Sequence, residues 1–87
     1  MKHYDEFRVE RILTDGTQEW AGGDLGESFE GLEDALDEAS RYHDWCGAKE
    51  TRVWGLSSKF GGFMDVVFDF ASQDEALAAY MQSVGRA

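Results

Sequence analysis

The sequence predicts an α+β domain in which two β-hairpins alternate with two helices, in the order ββαββα. Apolar residues recur at strand spacing, an Asp-Gly pair follows the first such segment, and a later segment divides into apolar and acidic arcs at helical spacing. We expect an antiparallel sheet with both helices on one of its faces. The 87 residues are expected to form one domain, residues 1–87.

The first hairpin is predicted to consist of strands over residues 7–14 and 17–21. The Asp-Gly pair at positions 15–16 is a strong signal for a tight hairpin turn. If this pair is the centre of the turn, Arg11 faces Trp20 across the two strands. A cation–π contact between these side chains would contribute about 0.5–1 kcal/mol.

A glycine-rich segment, residues 22–26, is expected to be a loop, and the first helix should follow it. Ser28 is the predicted N-cap, the helix should reach about Trp45, and Gly47 should end it. At about 100° per residue, one arc of this helix is apolar. Its members are Phe29, Leu32, Ala35, Leu36, Ala39, His43 and Cys46. The opposite arc contains Glu30, Glu33, Asp34, Asp37, Glu38 and Asp44, and only Arg41 interrupts it.

The second hairpin is predicted over residues 50–57 and 62–70, with residues 58–61 as its connection. In the last strand we expect one apolar and one wet face. The apolar face would carry Met64, Val66, Phe68 and Phe70, and the wet face Asp65 and Asp69.

The second helix is predicted to begin with a capping box formed by Ser72 and Glu75, and to end at Gly85. The expected buried stripe of this helix is Leu77, Tyr80, Met81 and Val84.

The composition indicates a folded, strongly acidic protein. The net charge is −10, yet twelve residues are aromatic, and disordered acidic chains lack such residues. This charge makes direct binding to nucleic acid or anionic lipid unfavourable. We expect no membrane-spanning stretch and no signal peptide, and the single cysteine, Cys46, fits a reducing compartment. We therefore expect a cytoplasmic protein.

His43 and Cys46 lie one helical turn apart and are the first candidates for a metal site. Zinc requires three or four protein ligands, and the chain has one other histidine and no second cysteine. Core packing is the favoured interpretation of both residues, with no metal and no cofactor. The sequence also contains no nucleophile elbow or phosphate-binding loop, so no enzymatic activity is expected.

The strongest functional signal is an acidic stretch: the 27 residues from Leu13 to Ala39 hold nine carboxylates and no Lys or Arg. A solvated helix face is the common meaning of such a pattern. However, like charges four residues apart destabilise a helix, and a merely solvated face interleaves lysines. Carboxylates at this spacing stand about 5–6 Å apart, which is close to the charge spacing along a nucleic-acid backbone. Trp45 either anchors an interface beside this face or packs beneath the following loop. The candidate partner-binding residues are Asp24, Glu27, Glu30, Glu33, Asp34, Asp37, Glu38, Asp44 and Trp45.

In size, charge and the acidic stretch from Asp24 to Asp44, the chain resembles the phage-encoded anti-CRISPR inhibitors and related DNA-mimic proteins. This resemblance is at the level of the class, and no sequence motif carries site residues across. It implies a small inhibitor, phage-encoded and active in the host cytoplasm, that presents acidic residues to a basic surface of a protein or ribonucleoprotein complex such as CRISPR-Cas. The alternative is a small ligand-binding or oligomeric interaction domain, in which sheet aromatics such as Trp54 and Phe63 line a pocket or a homodimer interface.

Overall fold

The computed structural model describes residues 4–21, 28–57 and 63–85 and confirms the predicted α+β fold. The elements are β1 (Glu6–Leu13), β2 (Gln18–Trp20), α1 (Leu32–Tyr42), β3 (Ala48–Ser57), β4 (Phe63–Phe70) and α2 (Gln73–Gly85). The four strands form one antiparallel sheet in the order β2-β1-β3-β4, which α1 and α2 cover on one face. The predicted connections at 22–26 and 58–61 lie outside the described residues.

The first hairpin has a different register from the expected one. The Leu13 N–H donates to the carbonyl of Thr17, so three residues rather than two form the turn, and Gly16 takes a positive φ of 91°. Arg11 consequently faces Glu19, and Trp20 faces Glu10. The predicted contact between Arg11 and Trp20 is therefore wrong.

Helix α1 is shorter than predicted at both ends. Phe29 exchanges two backbone hydrogen bonds of 2.8 Å with Phe7, which extends the backbone before the helix. Ser28 is not the N-cap; its hydroxyl donates to Glu6, and Gly31 occupies the cap position. Helix α1 ends at Tyr42, and a turn to Gly47 follows.

The predicted face assignment of β4 holds for only half of the strand. Phe68 and Phe70 lie opposite Val53 and Thr51, on the face that the helices cover. The register then shifts between Val53 and Trp54. Beyond this bulge the faces are exchanged: Met64 and Val66 are 40% and 43% exposed, and Asp65 accepts a hydrogen bond from the Tyr4 hydroxyl at 3.1 Å.

Helix α2 begins as predicted and buries a different face. The Glu75 N–H donates to the Ser72 hydroxyl, which confirms Ser72 as the cap. The Glu75 carboxylate accepts from the Ala71 N–H, one residue before the position that a capping box uses. The helix packs inward through Ala76, with Ala79 and Tyr80 beside it. The predicted stripe is wrong for three of its four residues, because Leu77, Met81 and Val84 are exposed.

The core lies between the sheet and the helix layer. Val9 and Val53 from the central strands and Leu36 and Ala39 from α1 have no exposed surface. Among the described residues, no helix has the length and apolar character needed to cross a membrane.

Candidate partner-binding surface

Most of the predicted partner-binding residues lie on α1 or next to it in the structure; we call this acidic surface the α1 side. Two of the predicted residues lie outside the described part of the chain. Those two are Asp24 and Glu27. Glu30, Glu33, Asp34 and Asp44 are exposed, and Asp37 and Glu38 are half-buried. The sequence suggested that Glu30 and Asp34 are neighbours on the helix. Because α1 begins at Leu32, Glu30 precedes the helix, and this expectation is wrong.

A shallow acidic cleft joins the segment before α1 to the helix itself. It has a volume of about 400 Å³ and is lined by Ser28, Phe29, Glu30, Asp34, Asp37 and Glu38. Four of these six residues are carboxylates, and Phe29 supplies an apolar wall. Such a lining suits the guanidinium or ammonium end of a long basic side chain, because the aliphatic stem packs on apolar surface while the charged head meets carboxylates.

Two carboxylates of the cleft already have partners within the protein. The Nε of Arg41 donates to Asp37 at 2.8 Å, and this bond raises the pKa of Arg41. The Nη2 of Arg11 donates to Glu38 at 2.7 Å. The carboxylates left without an ion pair among the described residues of this side are Glu30, Glu33, Asp34 and Asp44.

Arg11 is a residue whose role the sequence analysis missed. It is 4% exposed and lies on β1 in alternation with Phe7 and Val9, so its side chain faces the helix layer. Its guanidinium also lies 5.9 Å from the centre of the Tyr42 ring. The alternation was the available signal, since a charged residue in a core-facing position requires a charged partner.

Trp45 is the most exposed large apolar side chain among the described residues, at 83%. It lies in the turn after α1, next to the exposed Asp44. The alternative in which Trp45 packs beneath a loop is therefore wrong. An exposed indole beside acidic residues matches the aromatic anchors that dominate protein interfaces.

His43 and Cys46 occupy the same turn, beyond the end of α1. His43 is 2% exposed, and its Nδ1 lies 2.7 Å from the hydroxyl of Thr51. Cys46 is only half-buried, so the expectation of a fully buried pair is correct for the histidine alone. Within residues 4–21, 28–57 and 63–85, no cluster of three or more His, Cys, Asp or Glu side chains could hold a metal ion.

The sheet face opposite the helices carries a second group of aromatic and apolar side chains at the surface. The rings of Trp20 and Trp54 lie 6.5 Å apart, and the Trp54 indole N–H donates to Glu10 at 2.9 Å. The exposed Met64 and Val66 lie next to them, opposite Leu56 and Trp54. Of the sheet aromatics named in the alternative hypothesis, Trp54 is thus part of an open face.

Arg52 stands at the centre of a charge cluster on this open face. Its guanidinium lies 3.0 Å from Glu50, 3.6 Å from Glu10 and 3.8 Å from Asp69. Burial raises the pKa of Asp69, and its hydrogen bond with Glu50 raises it further. The same hydrogen bond lowers the pKa of Glu50. Three carboxylates thus share one cation.

No protein-family model, curated protein or solved structure matches this chain.

Proposed function

We propose that this protein is a small stoichiometric inhibitor that blocks a nucleic-acid-binding protein or ribonucleoprotein complex by electrostatic mimicry. The observation that carries the proposal is the α1 side, where Glu30, Glu33, Asp34 and Asp44 have no ion-pair partner among the described residues. Trp45 stands exposed next to Asp44, beyond the C-terminal end of α1. The partner surface would be a groove lined by Lys and Arg. A host defence complex of the CRISPR-Cas type is the target that the anti-CRISPR resemblance suggests.

The charge distribution favours a protein partner over nucleic acid. A chain with a net charge of −10 repels phosphate backbones and attracts the basic surfaces that bind them. Complementary charge accelerates encounter and sets orientation, whereas buried apolar anchors supply most of the affinity. Within the proposed interface, the carboxylates steer the approach and Trp45 holds the docked complex.

The cleft supports a particular mode of contact. A partner arginine entering it would pack its stem against Phe29 and place its guanidinium between Glu30 and Asp34. Asp37 and Glu38 are already bound to Arg41 and Arg11 and therefore shape the cleft more than they supply charge. No step of this function is catalytic.

The test is displacement of nucleic acid by matched charge-reversal variants. The partner is captured from bacterial lysate at low salt with tagged protein, and release of a fluorescent DNA oligonucleotide from it is then titrated. Glu30→Lys with Asp34→Lys should weaken displacement at least tenfold. Glu19→Lys with Asp74→Lys is the control, since it also changes the net charge from −10 to −6 and also combines one exposed carboxylate outside a helix with one in a first helical turn.

The control variant should displace the oligonucleotide within about threefold of the parent, and circular dichroism should show native folding for both variants. Equal displacement by both variants would refute the mimicry proposal. If Trp54→Ala removed binding and neither charge-reversal variant did, the binding surface would be the open sheet face. That result would favour the alternative of a ligand-binding or interaction domain.

A further inference from the structure

Helix α2 carries an exposed apolar stripe that the fold does not use. Leu77, Met81 and Val84 are 46%, 58% and 41% exposed and follow one another at i, i+4 and i+7. The helix is held to the rest of the domain by Ala76, Ala79 and Tyr80 instead. Residues at this spacing lie on one side of a helix and form a continuous surface.

The charge pattern identifies what this stripe can accept. Residues 76–85 contain no charged side chain and are the longest uncharged run in a chain whose net charge is −10. A second copy of the chain meets repulsion from carboxylates on the α1 side and at the Arg52 cluster. A second copy meets no like charge along residues 76–85 of α2, and a basic partner would find no carboxylate there to bind. From this pattern we infer that α2 is the interface of a homodimer formed through Leu77, Met81 and Val84.

A twofold axis between Tyr80 and Met81 gives a consistent arrangement. Two antiparallel copies of α2 then place Leu77 of one protomer opposite Val84 of its partner, and the reverse contact follows from the symmetry. Residues 74 of the two copies are separated by about 13 helical positions, or about 20 Å along the axis. The two Asp74 carboxylates are thus farther apart than the Debye length of about 8 Å at physiological ionic strength.

The size of the helix sets the expected strength of the dimer. The 13 residues of α2 span about 20 Å. A stable interface buries roughly 800 Å² per partner, which is about 15% of the 5360 Å² surface of this protein. A single helix supplies less than this, so the dimer should form in the micromolar range and depend on concentration.

The test is sedimentation velocity and light scattering on the full chain from about 1 to 300 μM. The parent should shift from the 9.8 kDa monomer to a dimer of twice that mass, 19.6 kDa. Leu77→Glu with Met81→Glu should stay monomeric throughout this range. The neutral variant Met81→Gln should raise the dimer dissociation constant at least fivefold, which separates loss of apolar contact from added charge.

A matched control introduces two glutamates at other exposed apolar positions. Trp45→Glu with Val66→Glu makes the same charge change away from α2 and should keep the dimer. A parent that remains monomeric at 300 μM would overturn the inference. So would a dimer that survives the α2 variant or is lost in the control, because the interface would then lie on another surface.

Discussion

At the scale of single residues, Arg11 occupies one of the predicted partner-binding carboxylates, that of Glu38. It reaches from the sheet to α1, contacts Glu38 at 2.7 Å and lies 5.9 Å from the centre of the Tyr42 ring. Glu38 and Tyr42 are one helical turn apart, so one guanidinium holds the last two turns of α1 to β1. Glu38 is therefore part of the fold, although the sequence placed it among the partner-binding residues.

Glu38→Gln is expected to destabilise the protein by about 2–3 kcal/mol. The Arg11 side chain is 5% exposed and would lose its charged partner. Because Glu38 itself is 23% exposed, the expected loss of stability is smaller than for an ion pair in which both side chains are buried. Urea unfolding measures the change. Glu33→Gln, which makes the same substitution at an exposed position of α1, should alter stability by less than about 0.5 kcal/mol. If Glu38→Gln left the stability unchanged, the ion pair with Arg11 would not stabilise the fold, and Glu38 would again be a candidate partner-binding residue.

The sequence predicted the exposed members of the acidic surface correctly, because helical spacing alone separates Glu33 and Asp34 from Ala35 and Leu36. It did not predict that Glu38 is paired. The partner lies 27 positions earlier in the chain, and helical periodicity contains no information about a side chain that crosses from the sheet.

At the scale of secondary-structure elements, the outer face of the sheet is tied together by charge. Arg52 on β3 lies between Glu10 on β1 and Asp69 on β4, with Glu50 adjacent on its own strand. Glu50 and Asp69 carry like charges on neighbouring strands and repel each other when both are ionised. The pKa of Asp69 is raised first by burial, and then by the hydrogen bond with Glu50 and the negative charge of Glu50.

Asp69→Asn should increase stability relative to the parent, and this gain should depend on pH. Because the pKa of Asp69 is raised on folding, the parent loses stability as pH rises from the unfolded-state value of 3.8 through the folded-state pKa. The variant has no such loss, so the difference should grow across that window and stay constant above it. Thermal unfolding from pH 3 to pH 7 measures this difference.

The asparagine amide can still donate to Glu50, which keeps the hydrogen bond that lowers the pKa of Glu50. Asp74→Asn makes the same charge change in α2, away from this cluster, and is the matched control. If the variant instead became less stable than the parent as pH rises, the attraction between Asp69 and Arg52, at 3.8 Å, would outweigh the repulsion between Asp69 and Glu50.

Element types were predictable from the sequence, whereas the ends and faces of particular elements were not. The predicted apolar arc is confirmed for Ala35, Leu36 and Ala39 within α1. Phe29 pairs instead with Phe7, 22 positions earlier, which delays the start of the helix. In α2, Leu77 and Met81 were expected inside because they belong to an apolar stripe at helical spacing. The structure instead buries Ala76 completely, since α1 lies against α2 and a small residue allows the close approach.

At the scale of the whole molecule, the helix layer has one acidic surface and one uncharged apolar surface. The α1 side holds unpaired carboxylates, and α2 holds an uncharged apolar stripe. The net charge of −10 was evident from the sequence. The division into two surfaces was not, because it depends on the face through which α2 packs.

These two surfaces predict opposite responses to salt. Raising the ionic strength from 0.1 M to 1 M shortens the Debye length from about 10 Å to about 3 Å. Association with a basic partner should slow about tenfold or more, since attraction between unlike charges is screened. Dimerisation through α2 should tighten, because the same screening removes repulsion between two copies that each carry −10.

Stopped-flow association with the captured partner and sedimentation of the protein alone measure the two responses separately. Glu30→Lys with Asp34→Lys should flatten the salt dependence of partner association, because two of the attracting carboxylates are replaced by cations. A partner association rate that ignores salt would refute electrostatic mimicry and leave the dimer untouched. A dimer that dissociates as salt rises would instead require ion pairs across its interface, and residues 76–85 contain no charged side chain to form them.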